Sequence, residues 1–277
     1  LAQLAKARGV RVVQARAAFA SPTQLRLTAP DGSSAAHDFE TLLLATGSAP
    51  ALPAAFPAGH PHLWDSTAAL ELAEIPETLL VVGGGYIGLE LGSVYAALGA
   101  RVTVVEMTGG LLPGADRDLI VPLAKRLRGI FREIHLNTRV AGVADDPAGL
   151  RVALENAKTG ETREETFAKV LVAIGRRPFT DGLDLEHAGI PLAERSFISV
   201  DADGRTANPR VFAAGDVAGQ PMLAHKATHE ARALVARLLG RAAQRPAHVP
   251  AVVFTDPEIA WVGLTETHAK EQGFAVR

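Results

Sequence analysis

The chain has 277 residues, 28 Lys+Arg against 30 Asp+Glu, and no cysteine. That length predicts one or two domains, and 48% apolar with 21% charged residues excludes extensive disorder. A net charge of −2 gives no general attraction to nucleic acid or an anionic membrane, no apolar run reaches the ~18–20 residues of a bilayer span, and the missing cysteines exclude disulfides, zinc-thiolate sites and thiol nucleophiles.

Leu1 to Lys6 reads as the tail of a helix stopped by Gly9, and Val10–Gln14 as a short β-branched strand. Phe19 to Thr28 and Ala36 to Phe39 flank the turn Pro30-Asp31-Gly32. Thr41 to Gly47 is apolar throughout, the pattern of a strand buried on both faces of a parallel sheet. Residues 49–61 carry four prolines and suit a linker. His60 and His62 fall in or beside it and read as a solvated loop.

Residues 78–106 predict one strand–turn–helix–strand unit. Thr78–Val82 is the first strand, Gly83 to Gly88 the turn, Leu89 to Leu98 the helix, Gly99 its left-handed cap, and Arg101–Glu106 the second strand. A further helix is expected over Asp116–Arg128. Short antiparallel strands follow around Val140–Val143, Arg151–Leu154 and Glu165–Thr166, then a buried strand over Lys169–Gly175.

Residues 41–50 (TLLLATGSAP) and 169–178 (KVLVAIGRRP) share an apolar strand, Ala-x-Gly, two residues and Pro. Either two buried strands look alike by chance, or one nucleotide-binding domain occurs twice. If the repeat is real, Gly83 precedes Gly175 by 92 residues, and the same interval before Gly47 points about 45 residues upstream of Leu1. The expectation is then a fragment.

Gly83-x-Gly85-x-x-Gly88 matches the dinucleotide fingerprint in the context that gives it weight: a strand before it, a helix after it, and an acid at the end of the next strand. The glycines permit the tight turn, the approach of a pyrophosphate and close helix–strand packing, while the helix dipole favours the phosphates. Glu106 stands where a carboxylate accepts from a ribose 2′-hydroxyl, and no basic residue follows before Arg117. This argues for NAD over NADP. A surface Glu ending a strand is the bland alternative. A second feature, Val211-Phe212-Ala213-Ala214-Gly215-Asp216, puts small residues and a carboxylate at a strand's end, where a flat ligand can approach and a sugar-like hydroxyl can donate. An ordinary turn Asp is equally compatible. His225 and His229 are spaced i,i+4, but no third metal ligand accompanies them. Trp64 and Trp261 read as packing residues.

The runs VVGGGYIGLELGSVYAALGARVTVVE, GRRPFT, TANPRVFAAGDVAGQPMLAHKATHEA and VVFTDPEIAWVGLTE resemble, in order, those of the flavin-dependent pyridine nucleotide–disulfide oxidoreductases. Within that family the similarity is greatest to the dihydrolipoamide dehydrogenase branch, and it covers almost the whole chain. The resemblance implies an α/β architecture of two Rossmann-like dinucleotide-binding domains plus the start of an α+β interface domain. Residues 1–70 are expected to be the carboxyl part of the first FAD segment, 71–190 the NAD domain, 191–247 the second FAD segment, and 248–277 a truncated dimerisation domain.

The resemblance also implies roles. Gly83, Gly84, Gly85, Tyr86, Ile87, Gly88, Leu89 and Glu90 correspond to the NAD turn, with Glu106 at the ribose and Val140 and Gly175 at the adenine and nicotinamide ends. Glu90 corresponds to an acid that pairs with a flavin-side Lys not found in this sequence. Thr46, Gly47 and Ser48 correspond to a segment passing close to FAD, and Ala17 to a small position at its adenine. Asp216 corresponds to the carboxylate for the FAD ribitol, and Met222, Leu223, Ala224 and His225 to the segment along the flavin pyrimidine edge.

The family's first FAD glycine turn, redox-active cysteine pair and carboxyl-terminal His-Glu pair have no counterpart in these 277 residues. Catalytic residues are therefore expected outside the chain, which alone is expected to be inactive and to hold FAD poorly. The full-length activity implied is oxidation of dihydrolipoyl groups with NAD⁺, by a cytoplasmic or mitochondrial-matrix homodimer serving the lipoyl domains of 2-oxo acid dehydrogenase complexes. Other family members (mercuric reductase, soluble transhydrogenase) and a catalytically silent dinucleotide-binding protein stand as alternatives.

Overall fold

The computed structural model describes residues 2–243 and 248–276, and the chain divides into two compact units. The first takes the described residues up to 49 and from 177 to 243; the second takes 50–176 and 248–276. These limits differ from the sequence expectation of 70 and 190, for reasons of packing. Phe56 is buried in a core of the second unit, and Leu63–Trp64 pairs with that unit's sheet. Leu183, Leu185, Ala188 and Ile190 instead join the core of the first unit. Val253 and Ile259 belong to the main core of the second unit, so residues 248–276 pack with it. Residue 247, at the limit expected there, lies outside the described residues.

The second unit is built on a five-stranded parallel sheet. Its order is Leu63–Trp64, Lys169–Val172, Thr78–Val82, Arg101–Glu106 and Glu133–Leu136. Side chains alternate across it, as a strand period of two requires. Leu79 and Val81 enter one core with Leu89, Tyr95, Leu123 and Leu127 of helices Tyr86–Ala97 and Arg117–Ile130. Leu80 and Val82 enter another with Leu150, Val152, Leu154 and Phe167. Those last four belong to an antiparallel meander, Thr138–Asp146, Gly149–Asn156 and Thr162–Phe167. Apolar residues on both faces explain why Thr78–Val82 reads as a continuous apolar run.

Several expectations in this unit change. The strand expected over Lys169–Gly175 ends at Val172, and Ile174 and Gly175 are exposed. The helix begins at Tyr86, three residues before Leu89, because Gly85 already takes the extended N-cap conformation. His60 and His62 are half-buried: His62 Nδ1 bonds the Ala168 carbonyl oxygen at 2.8 Å, and His60 Nε2 lies 3.2 Å from the Asp145 carboxylate. Trp64 is buried in the core, as its apolar bulk predicts.

The first unit contains an antiparallel meander, Arg16–Ser21, Gln24–Thr28 and Ser34–Asp38, and a parallel pair, Leu42–Leu44 with Val211–Ala213. Phe19, Leu25, Leu44, Ile198, Val211 and Val217 fill its core. Phe19 to Thr28 is two strands, because Pro22 and Thr23 turn the chain. Val10–Gln14 forms no strand: these residues are exposed, Val12 by 75%, and among the described residues no strand pairs with them. The strand expected over Thr41–Gly47 shrinks to Leu42–Leu44, and Leu43 is 36% exposed, so it is not buried on both faces.

Candidate cofactor sites

The glycine turn of the second unit sorts its glycines by what a Cβ would strike. At Gly83 it would lie 2.5 Å from the Ala173 carbonyl oxygen, and at Gly88 2.2 Å from the Gly83 carbonyl oxygen. Both contacts are impossible for a real side chain, so these two glycines permit the turn and the helix–strand approach. Gly83 also takes φ +113°, a region that L side chains rarely adopt. Gly84 is closed off by Leu111 and by the Glu106 side chain. Gly85 differs: no atom lies within 4 Å of its would-be Cβ. The open side of the turn is therefore at the second fingerprint glycine, where a pyrophosphate must approach the backbone. A helix starts directly after it, offering its positive end.

Glu106 ends the neighbouring strand, buried to 8% exposure. Its Oε2 accepts the Gly84 N–H at 2.7 Å and its Oε1 accepts the Thr108 N–H at 2.7 Å. A carboxylate oxygen has more than one lone pair, so it can also accept from a ribose hydroxyl. Arg117, the first cation after Glu106, is engaged elsewhere. Its guanidinium donates to the carbonyls of Leu111 (3.0 Å), Leu112 (2.8 Å) and Ala115 (2.8 Å), closing the loop that follows the strand. The Leu112 N–H donates in turn to the Gly84 carbonyl at 2.8 Å. The loop is thus stitched to the glycine turn, beside the Glu106 carboxylate.

The remaining residues of this set take varied places. Tyr86 is 38% exposed, Ile87 packs partly against the main core, and Leu89 is fully buried. Glu90 Oε1 accepts the Phe254 N–H at 2.8 Å, so the acid that sequence reasoning left without a partner ties the helix to the hairpin of Ala251–Val253 and Ile259–Trp261. Val140 is half-buried, at an irregularity in its strand's register. Gly175 is exposed, at φ +126°.

In the first unit, the Ser48 hydroxyl donates to Asp216 Oδ2 at 2.5 Å. Thr46 Oγ1 donates to the Phe179 carbonyl at 2.7 Å, and the Phe179 N–H donates to the Gly47 carbonyl at 3.0 Å. Thr46 also lines a cavity of about 180 Å³ together with Ala17, Ala45, Leu42 and Leu183. Four of the residues expected at FAD (Ala17, Thr46, Ser48 and Asp216) therefore fall into two small groups. Met222 and Leu223 are half-buried just before the helix Ala224–Leu238, whose first two residues, Ala224 and His225, are exposed.

Sequence reasoning missed two residues beside Asp216. Lys226 and Glu230, one helical turn apart, bond the backbone of the Gly215–Gly219 loop. A Lys and a Glu at i,i+4 on the helix was the available signal.

These arrangements fit the cofactors of one family. Its description, pyridine nucleotide-disulphide oxidoreductase, matches residues 1–231, and its dimerisation domain matches residues 249–277. The chain is 42% identical over 274 residues to the dihydrolipoyl dehydrogenase of Vibrio parahaemolyticus, covering 99% of this chain and 57% of that protein. It is 40% identical to the dihydrolipoyl dehydrogenase of Thermus scotoductus, covering 100% of this chain and 59% of the relative. Among solved structures, LpdA from Mycobacterium tuberculosis superposes with a TM-score of 0.86 at 34% identity, covering 100% of this chain and 61% of that one. The Cu(II) complex of the HOCl-induced flavoprotein disulfide reductase RclA from Escherichia coli gives 0.88 at 31%, covering 97% and 60%. The chain thus spans about three fifths of the length of the proteins it matches. With most of its residues matched, it belongs to the pyridine nucleotide-disulphide oxidoreductase family, whose cofactors are FAD and NAD.

Proposed function

We propose that the chain is the cofactor-binding portion of a dihydrolipoyl dehydrogenase, which oxidises protein-bound dihydrolipoyl groups and reduces NAD⁺. The observation that carries this reading is the 42% identity to a dihydrolipoyl dehydrogenase across nearly the whole chain, together with a glycine turn open only at Gly85 and tied to Glu106. In this reading the turn Gly83–Gly88 and the start of the following helix hold the NAD pyrophosphate, and Glu106 accepts from the adenosine ribose. Val140 and Gly175 flank the two ends of NAD. Asp216 accepts from sugar-like hydroxyls of FAD, Thr46, Gly47 and Ser48 pass close to it, Ala17 lies at its adenine, and residues 222–225 lie along its ring edge. FAD, when bound, supplies a two-electron relay between a dithiol and the nicotinamide.

This chain orients cofactors and supplies no thiol, since it has no cysteine. Disulfide exchange needs a thiolate, so the exchanging groups belong to another part of the enzyme. The same reading makes the enzyme a homodimer through the domain matched at 249–277, places it in the cytoplasm, and gives it the lipoyl domains of 2-oxo acid dehydrogenase complexes as partners. The likeness to RclA favours a second reading, a flavoprotein disulfide reductase with another substrate. NADH formation from dihydrolipoamide by the complete gene product decides between them. Turnover with dihydrolipoamide supports the first reading; a flavin-loaded protein inert towards it overturns that reading.

A further inference from the structure

Lys226 is buried, its side chain 7% exposed, and Glu230 beside it is 12% exposed. The ammonium donates to the Gly219 carbonyl at 2.8 Å and the Gly215 carbonyl at 3.2 Å, and lies 3.3 Å from Glu230 Oε1. Glu230 uses its other oxygen: Oε2 accepts the Gly215 N–H at 2.9 Å. The two side chains thus hold both polar groups of Gly215 and the carbonyl of Gly219, the residues on either side of the short turn Asp216–Ala218. Both glycines have positive φ, +82° and +143°; between them lies one short turn, closed by the Ala218 N–H donating to the Gly215 carbonyl at 3.0 Å, so the two side chains reinforce its ends. The helix comes close, with Ala227 Cβ 3.2 Å from where a Cβ on Gly215 would sit.

Burying an ion pair is costly, and an apolar pair of similar volume is commonly as stable or more so. Stability alone is a poor reason for this arrangement. What the pair does geometrically is fix both ends of the turn that carries Asp216, whose carboxylate also receives the Ser48 hydroxyl. We propose that Lys226 and Glu230 are positioning residues for FAD, acting through Asp216: they hold its carboxylate where it accepts from the flavin's sugar-like chain. The proposal rests on the reading of Asp216 as an FAD ligand.

The test uses the complete gene product, stripped of flavin and titrated with FAD, with bound-flavin absorbance and NADH affinity recorded alongside. Lys226→Met weakens FAD binding by about tenfold or more, the loss expected when a charge-assisted contact goes, and alters the bound-flavin absorption band. NADH affinity stays unchanged. Lys226→Arg, which can still donate to both carbonyls, restores part of the affinity. On an Asp216→Asn background, Lys226→Met has little further effect, because both act through one carboxylate. If Lys226→Met does not fold, Lys226→Met with Glu230→Leu removes the buried charge left behind and must still bind FAD weakly. Wild-type affinity and spectrum in either variant, or additive losses with Asp216→Asn, overturn the clamp while leaving the FAD reading intact. A wild-type protein that takes up no FAD overturns the reading and the clamp together.

Discussion

The carboxylate of Glu106 accepts the backbone N–H of Gly84 at 2.7 Å. The group proposed to read the ribose is therefore bonded to the turn proposed to hold the phosphates, and the two cannot move independently. Glu106→Ala removes an acceptor for the Gly84 and Thr108 N–H groups as well as for the ribose. We expect it to weaken NADH binding by roughly 1.5–3 kcal/mol and to narrow the preference for NADH over NADPH. Titration of both nucleotides against wild type and variant checks this. Equal affinity of the wild type for the two sinks the NAD assignment.

Gly85→Ala and Gly88→Ala separate ligand room from packing room. A methyl at Gly85 has open space among the described residues and suits the φ of −79° there. We expect a wild-type melting temperature and a large loss of NADH affinity. A methyl at Gly88 meets the Gly83 carbonyl oxygen at 2.2 Å, so that variant should lose about 1–3 kcal/mol of stability or more, as overpacking does. Calorimetry and NADH titration on the pair test the distinction; unchanged NADH binding by Gly85→Ala contradicts it.

Asn208 is a buried staple in the first unit. Its Nδ2 donates to the carbonyls of Pro22 (2.9 Å) and Ala188 (3.3 Å), and its Oδ1 accepts the Arg210 N–H at 3.0 Å. Asn208→Ala leaves these groups without that partner, and we expect roughly 1–3 kcal/mol of destabilisation. Denaturant unfolding measures it. NADH affinity, proposed to reside in the second unit, should not change.

Tyr95 carries a pH signature. Its ring is fully buried and its hydroxyl donates to the Ala69 carbonyl at 2.7 Å. Burial, then the charge of Glu74, holds its phenol above the ordinary value of 10.0. The folded state therefore keeps this proton more tightly than the unfolded chain. That contribution is complete below the unfolded value and is lost as pH rises through the folded one. Tyr95→Phe should cost about 1 kcal/mol at pH 7 through the lost hydrogen bond. Its deficit should shrink in strongly alkaline solution, and urea unfolding at the two pH values reads the difference. A deficit that grows with pH refutes the assignment.

Much of the second unit is legible in the sequence because its signals are local. The strand Arg101–Glu106 is found with the expected limits, since a glycine cap precedes it and Val102 and Val104 enter one apolar core while Val105 enters the other. The glycine turn is legible for the same reason. What escaped depends on partners far along the chain. Leu42–Leu44 looks doubly buried from composition, yet its pairing is with Val211–Ala213, more than 160 residues away, and Leu43 stays partly exposed. Glu90 could not reveal its bond to Phe254, nor Lys226 and Glu230 their grip on Gly215, because hydropathy does not register which backbone groups need partners.

The central strand of the five-stranded sheet is apolar on both sides, and this creates a problem of alignment. Slipping it by one residue would exchange Leu80 and Val82 for Leu79 and Val81, oil for oil, with little penalty from water. Polarity cannot index such a strand. Gly83 can. Its N–H donates to the Val105 carbonyl at 2.8 Å, and its missing side chain admits the Ala173 carbonyl oxygen, an approach that a side chain at that height would block. The glycine thus serves as a detent for the sheet, and it sets the elevation of the turn Gly83–Gly88 above the strands by the same stop.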